Sequence, residues 1–216
     1  MSHTIEIFRG DDFAQLDKRF RTQLINSIPG IKALQLVGTR DAEGQENLAI
    51  FNSIFHVGAN PPYLGMVVRP DSVDRHTWQN IQATGSYTLN AVGADFYRKA
   101  HQTSARYEKG ESEFLETGLL AVYRQGVVAP FVGESVIKMG LELQEFHRVE
   151  CNETMVVVGK VVYVELGEDL LFEDGAVDLV KADAVGSVGL DGYVSATWLD
   201  RLSYAKPDKT ATSILP

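Results

Sequence analysis

The stretch NLAIFNSIFHVGANPPYLGMVVRP, residues 47–70, decides the fold of this chain. Its two apolar runs, 47–55 and 63–69, are typical of β-strands and contain isoleucine, valine and aromatic residues. Between the runs, Asn60-Pro61-Pro62 predicts an extended loop, because a proline restricts the backbone of the residue before it. We therefore expect two successive strands joined by a loop.

Strand patterns dominate the remainder of the chain. Further strands are predicted at 33–39, 86–92, 136–149 and 154–166, the last as an edge strand that needs cover. Helical spacing predicts a helix at 11–28, capped by Asp11 or Asp12, with further helices at 72–83 and 94–104. Since strands and helices do not alternate regularly, we predict a mainly β fold, an antiparallel β-barrel with peripheral helices. Residues 1–216 are expected to form one domain with a loose tail from about 205 to 216.

Composition excludes several classes of protein. The 216 residues have a net charge of −9, which disfavours binding to nucleic acid or to an anionic membrane. No signal peptide and no run of 18 apolar residues is visible, so we expect a cytoplasmic protein. The single Cys151 excludes an internal disulfide; it is either a nucleophile or, more commonly for such a residue, an isolated buried thiol.

Charge is distributed unevenly along the chain. Residues 69–109 have a net charge of +2, whereas residues 110–216 have a net charge of −10. The cationic middle segment is compatible with a small anionic ligand, although charge alone favours a solvated surface. Within it, Arg69, Arg75, His76 and Thr77 lie where a predicted strand gives way to a predicted helix. A helix N-terminus with arginine and threonine donors suits a phosphate monoester; the alternative is a capped helix with exposed basic residues.

Motifs of several enzyme classes are absent from the sequence. It contains no Walker A motif, no G-x-G-x-x-G fingerprint, no H-E-x-x-H motif and no G-x-S-x-G elbow. Its five histidines give no pair at one-turn spacing, so no metal site is predicted. We assign no catalytic acid, base or nucleophile.

An ordered series of motifs resembles the flavin reductase-like family of FMN-binding split-barrel proteins. The series begins with residues 47–70 and continues with RHTWQNIQATGSYTLNAV at 75–92. Further matches are AHQTSARY (100–107), SEF (112–114), GL (118–119), APFVGES (129–135) and GLDGY (189–193). The resemblance runs from about Leu24 to Lys206, and the Ala-His-x-Thr-Ser-Ala element is similar to the flavoredoxin-like branch.

This resemblance implies a split barrel, a homodimer and FMN bound near the subunit interface. Three groups of residues match the family's cofactor site: the strand along the isoalloxazine and ribityl chain (Asn47, Ala49, Phe51, Asn52, Ser53), the phosphate end (Arg69, Arg75, His76, Thr77) and an element beside the flavin (His101, Ser104, Ala105). Asn80 matches a position that fixes the helix start. Alternatively, Phe51 is simple core and His101 is a structural hydrogen-bonding residue.

One departure from the family pattern bears on activity. Family members that supply reduced flavin to monooxygenases commonly have Gly-Asp-His before the last long strand, whereas this chain has Asn152-Glu153-Thr154. The missing histidine, associated with nicotinamide use, favours a tightly held FMN. The resemblance therefore implies an FMN-binding oxidoreductase that transfers a hydride or electrons, with NAD(P)H as a possible donor. The alternatives are an NAD(P)H:flavin reductase that supplies free reduced flavin, a non-enzymatic FMN-binding electron carrier with a redox protein partner, and a cofactor-free interaction barrel.

Overall fold

A computed structural model describes residues 5–70, 76–108 and 110–215. Its main feature is a seven-stranded sheet in which every neighbouring pair is antiparallel. We number the strands of the chain β1 (Lys32–Ala33), β2 (Gln35–Arg40), β3 (Glu46–Phe51), β4 (Ile54–Ala59), β5 (Pro62–Val68), β6 (Ser86–Ala91), β7 (Ala121–Arg124), β8 (Val127–Val132), β9 (Ile137–Val149), β10 (Thr154–Leu166), β11 (Val185–Val188) and β12 (Gly192–Ser195). The order in the sheet is β3-β2-β6-β9-β10-β5-β4.

Two smaller sheets and five α-helices surround this sheet in the described ranges. Strands β1, β11 and β12 form a three-stranded sheet, and β7 pairs with β8 as a hairpin. The helices are α1 (Asp12–Gln15), α2 (Lys18–Ser27), α3 (His76–Thr84), α4 (Tyr97–Gln102) and α5 (Glu113–Thr117), with a 3-10 turn at Glu168–Leu170. Helix α3 packs against β2, and α5 packs against β3.

The two edge strands of the main sheet are consecutive in the chain. Strand β3 ends at Phe51 and β4 begins at Ile54, so only Asn52 and Ser53 separate opposite edges of the sheet. A sheet with this connectivity must curve round until its edges meet. The observed architecture is therefore a split barrel, and the prediction of a mainly β, antiparallel barrel is confirmed.

The barrel interior is closely packed. Buried side chains from β2, β5, β6, β9 and β10 meet beneath α3, which contributes Trp78 and Ile81. Strand β8 crosses close to β2, since a Cβ at Gly38 would overlap the carbonyl oxygen of Pro130. Thr88 on β6 donates a hydrogen bond of 2.6 Å to that same oxygen. Glycine is therefore required at position 38 because the backbone of β8 occupies the space of a side chain.

A cluster of charged groups joins β7, β9 and β10 at one end of the barrel. Glu165 accepts hydrogen bonds from Arg124 Nε at 2.6 Å, from Lys138 Nζ at 3.0 Å and from the Tyr163 hydroxyl at 2.9 Å. The side chain of Lys138 is only 7% exposed, and its Nζ also donates to the carbonyl of Ser135. These donors, above all Arg124, lower the pKa of Glu165 from 4.5 to about 2.

The structure corrects several local predictions in the strand region. The predicted strand 47–55 is two strands, because the chain changes from one sheet edge to the other at Asn52 and Ser53. The predicted extended loop at Asn60-Pro61-Pro62 is a tight turn with a cis Asn60–Pro61 bond, and Ala59 pairs directly with Pro62.

Strand β10 is also placed differently from the prediction. Its first half lies between β9 and β5, with Met155–Lys160 paired to β5. The prediction of an edge strand is therefore wrong for that half. Over Val161–Leu166 the strand pairs with β9 alone in the described structure, so the second half does lie at an edge.

The helix predictions are partly correct. The predicted helix 11–28 is divided in two at Leu16 and Asp17, and Asp17 rather than Asp11 or Asp12 caps α2, accepting from the backbone N–H of Arg19 and Phe20. Helix α3 confirms the predicted 72–83 helix over its described part. Cys151 is exposed on the turn between β9 and β10, so the expectation of a buried thiol is wrong. The tail forms bridges between Leu202 and Ser213 and between Lys206 and Lys209.

Candidate functional site

The break between β3 and β4 is held by side-chain hydrogen bonds. Asn52 donates from Nδ2 to the carbonyl of Gly189 at 3.1 Å, and the Ser53 hydroxyl lies 3.4 Å from Asn52 Oδ1. The carbonyl of Ser53 accepts from the N–H of Val67 on β5. The two polar residues predicted to line a cofactor therefore lie at the seam of the barrel, where one edge of the sheet becomes the other.

The register of β3 directs alternate backbone groups away from the sheet. Leu48 pairs with Gly38 and Ile50 pairs with Leu36. Because backbone groups alternate in direction along a strand, the N–H groups of Leu48 and Ile50 point the same way. The N–H of Leu48 points outward, because it donates to Glu113 Oε2 at 2.9 Å. The N–H of Ile50 points to the same outer edge, two residues further along. A ligand that lay along the edge of β3 would meet this backbone donor.

Glu113 covers the first part of this edge from helix α5. Its side chain is buried, and burial raises the pKa of the carboxyl group above the ordinary value of 4.5, although the bond from Leu48 opposes the shift. His76 lies near enough to lower the pKa of Glu113 through its charge. Sequence reasoning matched this residue within the SEF motif and gave it no role.

A buried polar network joins the strands to helix α3 at the predicted phosphate end. Asn47 donates from Nδ2 to the hydroxyl of Thr77 at 3.1 Å and contacts the hydroxyl of Thr39 at 3.3 Å. Asn80 donates to the same Thr39 oxygen at 3.1 Å. The hydroxyl of Thr77 accepts here and keeps its own proton to donate elsewhere. The network fixes Thr77 in the first turn of the described part of α3.

The other residues of the predicted phosphate end do not take part in the hydrogen bonds described for Asn47, Thr39, Thr77 and Asn80. His76 is half-buried at the first described position of α3, and Arg69 is exposed just after β5. Arg75 lies outside the described residues. The structure therefore brings Asn47 and Thr77 into direct contact, whereas Arg69 forms no part of that network.

A cleft of about 190 Å³ lies beside this network. Asn47, His76 and Asn80 line it together with four carboxylate residues, Asp41, Glu43, Glu46 and Glu111. The carboxylate of Asp41 accepts from the N–H groups of Glu43 and Gln45, which fixes the turn between β2 and β3. The acidic wall disfavours a second phosphate next to any phosphate bound at Thr77.

The residues predicted on either side of the seam differ in burial. Ala49 and Phe51 are half-buried, and Phe51 packs against the barrel core, as the alternative interpretation of that residue predicts. Ser104 and Ala105 are exposed after α4, and their N–H groups bond to the carbonyls of His101 and Gln102.

His101 has a partner that sequence reasoning did not assign. Its Nδ1 lies 2.6 Å from the hydroxyl of Tyr193 on β12, and the ring of Tyr193 also contacts that of Tyr97 at 5.2 Å between centroids. Tyr193 ends the GLDGY motif, whose first residue, Gly189, accepts the bond from Asn52. The GLDGY motif was therefore the sequence signal that could have pointed to Tyr193.

Comparison with known proteins places this geometry in a family. The model of the flavin reductase like domain matches residues 32–181, about two thirds of the chain. The chain therefore belongs to the flavin reductase-like family, as its sequence motifs predict.

Three solved structures are similar to the chain. A split-barrel protein of Shewanella frigidimarina NCIMB 400, assigned as a flavin reductase, is 44% identical with a TM-score of 0.89, covering 93% of this chain and 100% of its own. Nitrilotriacetate monooxygenase component B from Bacillus cereus is 18% identical with a TM-score of 0.81, covering 93% and 100%. Flavoredoxin of Desulfovibrio vulgaris (Miyazaki F) is 24% identical with a TM-score of 0.67, covering 82% and 91%. At those identities the last two show the fold alone.

Two features are absent from the described residues. None of the helices there is long and apolar enough to cross a bilayer. The same residues contain no group of three or more His, Cys, Asp or Glu side chains that could hold a metal ion.

Proposed function

We propose that this chain is an FMN-binding oxidoreductase of the flavin reductase or flavoredoxin type, which holds FMN as a prosthetic group. The observation that supports it best is the outer edge of β3, where the Ile50 N–H, Asn52 and Ser53 follow one another to the barrel seam. A planar flavin needs such a row of donors along one edge, because negative charge develops on its pyrimidine side during reduction. Bound flavin would supply the hydride or electron transfer, for which no acid or base side chain is required.

Separate groups of residues would hold the ring and the phosphate of FMN. Ile50 N–H and the Asn52 and Ser53 side chains would orient the ring, and the Thr77 hydroxyl would donate to the phosphate. Arg75 lies outside the described residues, and we propose from the sequence alone that it adds a charge-assisted hydrogen bond to the phosphate. The acidic wall of the neighbouring cleft disfavours each added negative charge, which favours FMN, with one phosphate, over FAD, with two.

The turn between β9 and β10 supports a prosthetic role. Asn152-Glu153-Thr154 occupies it in place of the expected histidine, and Asn152 Oδ1 accepts from both the N–H and the hydroxyl of Thr154. Glu153 there forms an ion pair with Arg148 at 2.7 Å. This turn offers a nicotinamide no imidazole, so we expect slow reduction by NADH or NADPH.

A homodimer is the assembly we propose. Val162 and Val164 lie on one face of β10, within the half that pairs with β9 alone, and their side chains are 41% and 53% exposed. Apolar side chains on an open strand edge favour contact with a second subunit.

The test of the proposed function is an absorbance spectrum followed by stopped-flow reduction. We expect the purified protein to be yellow, to release FMN on denaturation, and to be reduced slowly by NADH or NADPH under anaerobic conditions. Recovery of FAD, or no flavin even after reconstitution with excess FMN, would contradict the proposal. Rapid turnover that rises and saturates with added free FMN or riboflavin would instead favour the second candidate, an NAD(P)H:flavin reductase. Flavin that is reduced only by another redox protein would favour an electron carrier.

A further inference from the structure

His101, which the sequence places beside the cofactor, forms a close polar pair with Tyr193, to which the sequence gave no role. The hydroxyl of Tyr193 lies 2.6 Å from His101 Nδ1, and the two rings meet edge to face with centroids 5.8 Å apart. Tyr193 also packs on Tyr97 of α4, one turn before His101. Because Tyr97 and His101 are four residues apart, they share one face of α4, and both contact Tyr193.

The chemistry of the pair decides where the proton lies. Burial raises the pKa of the Tyr193 phenol above its ordinary value of 10, and the charge of Asp191 and the neighbouring Tyr97 add to the shift. The phenol is thus neutral at physiological pH and has one proton to donate. The 2.6 Å contact is compatible with either direction of donation; because an imidazole nitrogen is a stronger acceptor than a phenol oxygen, we infer that the O–H of Tyr193 donates to Nδ1. A neutral His101 then carries its own proton on Nε2.

The pair is linked to the seam of the barrel. Asn52, at the end of β3, bonds to Gly189, and the segment 189–193 leads from there to Tyr193. Gln23 of α2 donates to Asp191 Oδ2 at 3.0 Å and so also holds segment 189–193. His101 is exposed on α4, and that helix also contacts β3, the strand that ends at Phe51 just before Asn52.

We propose that Tyr193 is a positioning residue that fixes His101 as the Nε2–H tautomer, so that His101 presents a hydrogen-bond donor to the edge of a flavin bound along β3. The inference rests on the proposed function. Asp191, from the segment before β12, and Tyr97 of α4 are the charged or titratable groups that act on Tyr193, and Arg98 lies over the ring of Tyr97. A fixed donor stabilises negative charge that develops on the flavin during reduction, whereas a ring that exchanges between tautomers offers that donor only part of the time.

The experiment compares wild type, Tyr193→Phe and the matched control Tyr97→Phe, which keeps the stacked ring and the Tyr193 hydroxyl. Two-dimensional NMR of protein labelled with ¹⁵N-histidine reports which ring nitrogen of His101 carries the proton, and it needs no cofactor. We expect the Nε2–H form in wild type and Tyr97→Phe, and a mixture of both tautomers in Tyr193→Phe. After reconstitution with FMN, the midpoint potential should be more negative in Tyr193→Phe alone.

Three results would overturn the inference. A wild-type spectrum with the proton on Nδ1, or a mixture in wild type, refutes the fixed tautomer without any variant. An altered tautomer with an unchanged FMN midpoint potential refutes the donor role and leaves FMN binding intact. A wild-type protein that binds no FMN refutes the proposed function and the donor role together. In that case the NMR spectrum of the cofactor-free protein still reports whether Tyr193 fixes the tautomer of His101.

Discussion

The carboxylate of Glu113 accepts the backbone N–H of Leu48 over 2.9 Å, at the outer edge of the strand along which we place the cofactor. Glu113 of helix α5 thus occupies one hydrogen-bonding position at the edge of β3, and the register directs the next outward N–H, that of Ile50, to the edge where we place the ligand. Glu113 therefore sets where along the edge a ligand begins.

Replacement of Glu113 should separate its hydrogen bond from its charge. Glu113→Ala leaves the N–H of Leu48 buried without a partner, and we expect a loss of about 1–3 kcal/mol in the free energy of unfolding. Glu113→Gln keeps an acceptor oxygen and should lose much less. Urea unfolding at pH 7 measures both. Equal losses in the two variants would show that the bond to Leu48 does not matter.

The same residue should give stability a dependence on pH. Burial raises the pKa of Glu113 in the folded protein, so its protonated form is favoured there. Its contribution to stability is present in full below the ordinary carboxyl pKa of 4.5 and decreases as the pH rises through the raised value. Glu113→Gln should remove this slope. A variant that retains the wild-type slope between pH 4 and 7 would assign it to other groups.

Glu165 should act in the opposite direction. Because its donors lower its pKa to about 2, its contribution is present above pH 4.5 and is lost as the pH falls toward 2. With a side chain 30% exposed, we expect that contribution to be about 1–2 kcal/mol. Glu165→Gln should be less stable than wild type at pH 7, with the two converging near pH 2. The control is Glu153→Gln, which breaks the exposed pair with Arg148 and should change little.

The phosphate end can be tested by comparing FMN with riboflavin, which lacks the phosphate. Arg75→Ala and Thr77→Val should weaken FMN binding by about 10- to 150-fold, the equivalent of 1.5–3 kcal/mol for a charged hydrogen bond, and should leave riboflavin almost unaffected. Thr77→Ser is the matched control, because it keeps the hydroxyl that bonds to Asn47. Fluorescence titration measures both ligands. Parallel losses for FMN and riboflavin would indicate that these residues act through the fold.

The dimer can be tested on the open half of β10. Val164→Glu places a charge on the proposed contact surface and should shift the mass in light scattering from about twice 23.8 kDa to 23.8 kDa. Leu199→Glu, at a side chain that is 98% exposed elsewhere, is the control and should stay dimeric. A wild-type monomer that still binds FMN would refute a site shared between subunits.

Much of this fold could be predicted from local patterns, and the rest depended on long-range contacts. The strand runs at 86–92, 136–149 and 154–166 are long and apolar enough to be recognised directly. The break at Asn52 and Ser53 was missed because no residue pattern in 47–55 indicates that the chain leaves one edge of the sheet and joins the other. The hairpin of β7 and β8 was also missed. Strand β8 packs across β2 at Gly38, and such a contact between distant parts of the chain is not visible in the local sequence.

The candidate site shows the same division. Motif matching assigned Asn47 and Thr77 to different parts of one cofactor site, and the structure shows that their side chains are in contact. It gave no role to Glu113 or Tyr193, because each acts on a partner more than 60 residues away in the sequence. The chemistry of a residue type can be predicted from the sequence, but the partner that fixes its orientation comes from the tertiary structure.

The consecutive order of β3 and β4 has a consequence for the kinetics of the folded state. Segment 46–59 supplies both edges of the main sheet, so these edges can separate while the five strands between them stay paired. Local opening of this kind requires much less free energy than global unfolding. A ligand that bridges Asn52 and Ser53 would oppose it, so bound FMN should slow amide hydrogen exchange in β3 and β4 together and leave β6 and β9 unchanged. The rate at which the cofactor leaves would then be set by opening of the barrel seam, and not by the strength of any single contact.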